Sequence, residues 1–201
     1  MPSWTCRIIR RFCGFSTGGI PIRIRIIGGC GSGKSYIARA LSDQYGIPHY
    51  ETDNMVWDRS AAARRYPEEE RDARLRGIAA SASWIIEGVH HRWGAESFAA
   101  ADVIYILNPP KWRRNWRTIR RFARTRLGLE RANYRQTWGN LRVMLLEWNR
   151  DFDAKALPEI MKLTEPFAGK RVIVRSSAAI LQHAAQWYAA TARETAEKEQ
   201  P

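Results

Sequence analysis

The sequence predicts a three-layer α/β domain, a five-stranded parallel sheet with helices on both faces, and three observations point to it. Short apolar runs recur at residues 22–27, 48–51 (the weakest), 84–86, 103–107 and 172–174. Strands covered on both faces read as continuous apolar runs of this kind, because neither side meets water. Helical patterns lie between the runs, and alternation of strand with helix makes consecutive strands parallel through crossovers. Finally, the first run leads directly into Gly28-Gly29-Cys30-Gly31-Ser32-Gly33-Lys34-Ser35, and a helix-like stretch follows at residues 36–45. A G-x-x-x-x-G-K-S loop between a strand and a helix is the setting in which that motif holds a phosphate chain.

In chain order, residues 1–20 hold Gly14, Gly18 and Gly19 and lack an uninterrupted apolar stretch, so they read as an irregular N-terminal extension with no secretory signal. Residues 21–190 form one domain, which suits a chain of 201 residues, and residues 191–201 read as a tail. In the first strand, Arg23 and Arg25 alternate with isoleucines, a pattern foreign to a central strand; it places them near the exposed N-terminal end. Pro67 followed by Glu68, Glu69 and Glu70 marks a helix start, with acids where the helix dipole is positive. Ser176 or Ser177 caps a last helix whose apolar side carries Ile180, Leu181, Ala184, Trp187 and Tyr188.

Composition narrows the partners. No apolar run approaches the ~18 residues of a membrane span, so no membrane partner is expected. The three cysteines, Cys6, Cys13 and Cys30, are an odd set without zinc-site spacing, which predicts a reducing, cytoplasmic setting. The net charge of +13 is concentrated. Residues 1–27 carry five arginines and no acid, and residues 103–129 carry Lys111 with seven arginines and no acid. Two such patches call for a polyanion, either nucleotide phosphates or nucleic acid.

Parallel sheets bind ligands beyond the carboxyl ends of their strands, so the residues after each run are the candidate site. After the first come Gly28, Gly31, Ser32 and Gly33, whose backbone can curl around phosphates, then Lys34 for the β/γ-phosphates and Ser35 for Mg²⁺. Glu51-Thr52-Asp53 follows the second run, and Glu87-Gly88-Val89-His90-His91-Arg92 the third. Asp53 either orients or deprotonates an attacking hydroxyl, or caps a helix that begins at Asn54. Neighbouring His90 and His91 are poor co-ligands for a metal and read as surface or substrate-facing groups. Trp57 and Trp84 read as packing beside the cleft. Asn108 and two prolines close the fourth run and lead into a basic helix. There Trp112, Trp116, Ile119, Ala123 and Leu127 form one stripe, expected to pack, with Arg113, Arg117, Arg121 and Arg124 on the adjoining face.

The ordered motifs resemble the adenylate-kinase-like branch of P-loop kinases, most closely its FlaR-related DNA topology modulation subfamily. The residues that carry the resemblance are the loop at 28–35, Asp53 with Trp57, and Trp84-Ile85-Ile86-Glu87-Gly88. Ala101-Asp102-Val103-Ile104, the tryptophan- and arginine-rich segment 112–126 and Gly169-Lys170-Arg171-Val172-Ile173-Val174 complete it, over roughly residues 22–185. The resemblance implies a P-loop NTPase fold with a helical lid at about 111–150, binding ATP and Mg²⁺. It implies catalytic roles for Lys34, Asp53, Arg117 and Arg121, with Arg113 and Arg124 on the nucleotide. Ser35, Glu87 and Glu51 would serve the metal, Glu87 standing where relatives carry aspartate. Asn108 likewise replaces a common aspartate, and His91 lies near a substrate-phosphate arginine of relatives. The implied activity is an ATP- and Mg²⁺-dependent kinase of a small acceptor, a nucleoside or nucleoside monophosphate first. A non-nucleotide metabolite, as in shikimate- or gluconate-kinase-like relatives, stays open, as does a nucleotide-dependent DNA-binding regulator. A monomer or homodimer is expected. No N-K-x-D or L-S-G-G-Q stretch is present to place the chain among GTPases or transporters.

Overall fold

The computed structural model describes residues 21–58, 64–130 and 137–198, so the expected N-terminal extension lies outside the described residues. Its centre is β1 (Arg23–Gly28), paired with β3 (Trp84–Gly88) on one side and β4 (Val103–Leu107) on the other. The edges are β2 (His49–Glu51) and β5 (Arg171–Val174), giving the order β2-β3-β1-β4-β5 with every pair parallel. Register aligns the carboxyl ends: Ile27 lies opposite Gly88 and Ile106, and Glu51 lies opposite Glu87. Whatever follows each strand therefore emerges at one rim. The five expected strands are all present, and β1, β3 and β4 are the buried ones, although β1 carries Arg25 and β3 carries Glu87 among their apolar residues.

One face of the sheet is covered by α1 (Lys34–Tyr45) and α9 (Ser177–Lys198). Ile24, Ile26, Ile37, Leu41, Tyr105 and Ile180 meet there, each 0–1% exposed, and each buried isoleucine contributes about 1.5–3 kcal/mol. Tyr45 and Tyr188 stack with ring centroids 4.3 Å apart and fasten the two helices together. Gly46 ends α1 in the left-handed conformation, and Ser176 caps α9 by accepting from the Ala179 N–H at 3.2 Å. The last helix runs to Lys198, through most of the stretch expected as a tail.

The other face is covered by α2 (Thr52–Val56), α3 (Glu68–Ala79), α4 (Ala95–Ala100) and a long helical run. Between α4 and that run lies the basic helix α5 (Lys111–Arg126). The run comprises α6 (Trp138–Val143), a π turn at Met144–Trp148, α7 (Asn149–Asp151), a second π turn at Phe152–Ala156, and α8 (Leu157–Leu163). Each junction keeps right-handed helical backbone. The second π turn stands just before Pro158, whose missing N–H and bulky ring disrupt the regular i→i−4 ladder. Lys170, entering β5, reaches back to the carbonyls of Ala99 and Ala101 at 2.6 Å each, satisfying the end of α4.

Arg25 overturns the expectation that both β1 arginines sit at an exposed strand end. It is 1% exposed in mid-strand. Its Nη1 donates to the carbonyls of Ile26 (2.9 Å) and Ile86 (3.2 Å), its Nη2 to that of His90 (2.8 Å), and its guanidinium lies over the Phe98 ring. Backbone acceptors and a π face replace water, which is how a charged side chain survives in the interior. Burial still pushes its pKa down to about 10. Arg23 behaves as expected, with its Nε donating to Ser81 O in an exposed setting. No helix among the described residues is long and apolar enough to cross a membrane.

Candidate functional site

The phosphate loop is shaped by close approaches that only glycine allows. Gly31 (φ 71°) and Gly33 (φ 97°) are left-handed, and a Cβ at Gly31 would collide with the Arg114 carbonyl. The loop closes through Ser32 N–H to Gly29 O at 3.2 Å, and α1 opens with Ile37 N–H to Gly33 O at 3.1 Å. Lys34 is the first residue of this 12-residue helix, so the positive end of its dipole faces the loop.

The basic helix lies against that loop, but by a different face from the expected one. Trp112 (66% exposed), Trp116 (62%), Ile119 (40%) and Leu127 (73%) point outward, so the aromatic stripe does not pack. The packed face is Arg114, Thr118 and Phe122. The reason is what it packs on: a glycine-rich loop offers carbonyls and N–H groups, and polar side chains satisfy them where indoles would not. Arg117 Nη1 donates to Ser32 O at 2.7 Å, and Cys30 Sγ lies 3.8 Å from Thr118 Oγ1. Arg114 is buried beside Gly29 and paired with Asp153, while Phe152 packs on the same glycine. Arg117 is thus brought to the loop. Arg113 lies over Trp112, Arg124 bonds Glu130 at 3.2 Å, and Arg121 is exposed farther along the helix; none of these three is shown at the loop.

Glu87 closes β3 at 2% exposure. Burial raises its pKa, Lys34 and Ser35 oppose that rise, and Glu51 and Asp53 reinforce it. Glu87 is therefore within electrostatic reach of the phosphate-loop lysine, and its Oε2 is buried without a hydrogen-bond partner. An orphaned carboxylate oxygen beside a hydroxyl is a donor pair that suits Mg²⁺, which takes few protein ligands and relies on phosphate and water for the rest. Among the described residues no cluster of three or more His, Cys, Asp or Glu side chains could hold a metal alone. Asn108, at the end of β4, has a buried Oδ1 without a partner, and its N–H donates to Val174 O at 2.9 Å.

On the far side of Glu87 the structure assembles residues that spacing alone did not join. Asp53 lies in the first turn of α2 rather than capping it, and its side chain is half exposed. His90 Nδ1 is 2.9 Å from Thr52 Oγ1 and 3.5 Å from Asp53 Oδ1. Gly88 makes room for this: a Cβ there would overlap Thr52 Oγ1. The adjacent His91 and Arg92 turn away to Glu159 on α8, at 2.8 Å and, for the two arginine contacts, 3.2 and 3.1 Å. Those partners hold the Glu159 carboxyl down at about 2. Arg92 and His91 are thus engaged in bracing the β3 loop against α8. Trp84 is fully buried and Trp57 half exposed. A cavity of about 560 Å³ lined by His49, Glu51, Asn54, Met55, Arg74 and Ile78 lies beside β2, and no phosphate-loop residue lines it.

Arg114 and Glu159 were not singled out from the sequence, since each acts through a partner distant in the chain. Arg25 showed there only as a charge inside an isoleucine run, and Thr52 only as the residue between Glu51 and Asp53.

Comparison with known proteins gives fold-level likeness. No protein-family model matches the chain. The uncharacterized protein YqaC of Bacillus subtilis (strain 168) is 28% identical over 88 residues, 44% of this chain and 49% of that protein, so the match spans about half of the curated relative. A gluconokinase from Sinorhizobium meliloti 1021 aligns over 90% of this chain and 98% of its own, at 17% identity and TM-score 0.47. A shikimate kinase from Acinetobacter baumannii in complex with shikimate aligns over 85% and 94%, at 14% identity and TM-score 0.49. A sugar kinase from Janibacter sp. HTCC2649 aligns over 72% and 95%, at 18% identity and TM-score 0.40. Likeness at these identities concerns the fold alone.

Proposed function

We propose that the chain is an ATP- and Mg²⁺-dependent phosphotransferase acting on a small acceptor. The observation that carries this reading is the buried, half-unpartnered Glu87 facing Lys34 and Ser35 at the mouth of a glycine loop. A mere nucleotide-binding platform needs the loop; the acidic groups beyond it, Glu51, Glu87 and Asp53, are what a transfer site adds. The resemblance of the ordered motifs to adenylate-kinase-like P-loop kinases supports the same reading. A non-nucleotide acceptor is as well supported as a nucleoside.

In this reading the loop backbone and the α1 dipole bind the phosphate chain, and Lys34 neutralises charge on the β- and γ-phosphates. Ser35 and Glu87 are the residues that would hold Mg²⁺, which would supply further neutralisation of phosphate charge. Arg117, fixed on the Ser32 carbonyl, keeps α5 on the loop and a guanidinium beside it. Phosphoryl transfer asks little covalent chemistry of a protein, so positioning and charge carry the rate. Asp53 and His90 stand on the acceptor side.

The test is a transfer screen with γ-labelled ATP against nucleosides, nucleoside monophosphates and hydroxylated metabolites. Mg²⁺-dependent label transfer to at least one acceptor is expected; ATP left intact with every acceptor and with water refutes the reading. A second reading, nucleotide-dependent nucleic-acid binding, draws on the exposed Trp112 and Trp116 beside the arginines of α5. Its measurement is duplex-DNA affinity against salt: a steep fall supports it, and no binding near physiological salt ends it.

A further inference from the structure

Resting on the phosphotransferase reading, we infer that His90 is the proton acceptor of the reaction, and that the acceptor is a neutral alcohol such as a sugar, a polyol or a nucleoside hydroxyl, not a phosphate group. Two protein oxygens, Thr52 Oγ1 at 2.9 Å and Asp53 Oδ1 at 3.5 Å, converge on the same ring atom, Nδ1. With the proton on Nδ1 donated to that pair, Nε2 carries the free lone pair, and no protein partner among the described residues takes it. The ring is held from several directions. Its backbone carbonyl accepts from Arg25 Nη2 at 2.8 Å, its ring centroid lies 5.3 Å from that of Trp93 with the planes tilted by 42°, and Thr52 is fixed at 2% exposure over the gap left by Gly88. The side chain nonetheless keeps 27% of its surface exposed, as access to an acceptor requires.

The groups around His90 favour its neutral form. Burial lowers its pKa; Asp53 works against that, and Arg25, Lys34 and Arg71 work with it. A neutral imidazole whose Nδ1 is oriented by a hydroxyl and a carboxylate is set up to accept a proton at Nε2. The step balances as follows: the acceptor O–H proton moves to Nε2, the alcohol oxygen bonds to the γ-phosphorus of ATP, and the bond to the β,γ-bridging oxygen breaks with its electron pair leaving on ADP. Histidinium then returns the proton to solvent. An acceptor that is already a phosphate brings its own anionic oxygen and has no use for this base.

Water, the smallest hydroxyl acceptor, makes the test independent of the natural substrate. Single-turnover hydrolysis of γ-labelled ATP would be measured on the full chain, His90→Asn and His90→Gly, with and without imidazole. Parallel arms would offer ribose, xylitol, adenosine and AMP. His90→Asn keeps a donor for Thr52 but no base, so the rate should fall at least about 100-fold with ATP affinity unchanged. Imidazole should restore part of the rate to His90→Gly, which a merely structural histidine would not show. Label should pass to hydroxyl compounds and not to the phosphate of AMP. Wild-type rates in His90→Asn, or transfer onto the AMP phosphate, overturn the inference and leave the kinase reading standing. A wild-type chain that binds ATP yet transfers to neither water nor any acceptor overturns both. A wild-type chain that does not bind ATP overturns both.

Discussion

At Gly88 one missing side chain decides whether the acceptor side can form. Any Cβ there meets Thr52 Oγ1, and Thr52 is the group that orients His90. Gly88→Ala should cost about 1–3 kcal/mol, the range for forcing extra volume into a packed site, read as a lowered unfolding midpoint. Unchanged stability would mean the Thr52 contact is not rigid. Glu159 gives a prediction with a defined pH window. Its carboxyl titrates at about 2 in the folded chain, below its ordinary value, because Arg92 and His91 favour the charged form. The stabilisation is therefore complete above the unfolded pKa near 4.5 and disappears as pH falls through about 2. Glu159→Gln should thus lower stability at neutral pH, and the gap to wild type should close progressively as pH falls from about 4.5 through about 2; a gap that does not shrink over that range would sink the clamp.

The elements were legible in the sequence to different depths, and physical reasons separate them. β3 and β4 were plain, because burial on both faces leaves a nearly uninterrupted apolar run, whereas the partly exposed edge strand β2 was the weakest. The phosphate loop was plain because its glycines are demanded by backbone geometry. The orientation of α5 was not, because an apolar stripe at helical spacing says only that one face is apolar. Which face packs depends on the neighbour, and here the neighbour is a polar loop met by Arg114, Arg117 and Thr118. The Arg25 buttress and the Glu159 clamp were hidden for a related cause: they join residues 65 or more positions apart, His90 to Arg25 and Glu159 to Arg92. The α5 geometry makes its own prediction. Trp116→Ser removes an indole that is 62% exposed, so the unfolding free energy should change by less than about 0.5 kcal/mol. A loss above about 2 kcal/mol would show that the stripe packs in solution.

At the scale of the whole molecule, the parallel sheet does the assembling. Its strands end level, so the phosphate loop, the Thr52–Asp53 start of α2, and Glu87 with the His90 loop emerge along one rim from three separate stretches of sequence. Each group alone admits a bland reading: a capping acid, a surface histidine, a glycine turn. Their convergence around Lys34 is what supports phosphoryl transfer. The most direct measurement is Mg²⁺-dependent turnover of ATP by the wild-type chain and by Lys34→Ala, with thermal unfolding followed on both. The account predicts turnover in the wild type and a fall of at least about 100-fold in the variant at an unchanged unfolding midpoint. Equal turnover in the two proteins would contradict it.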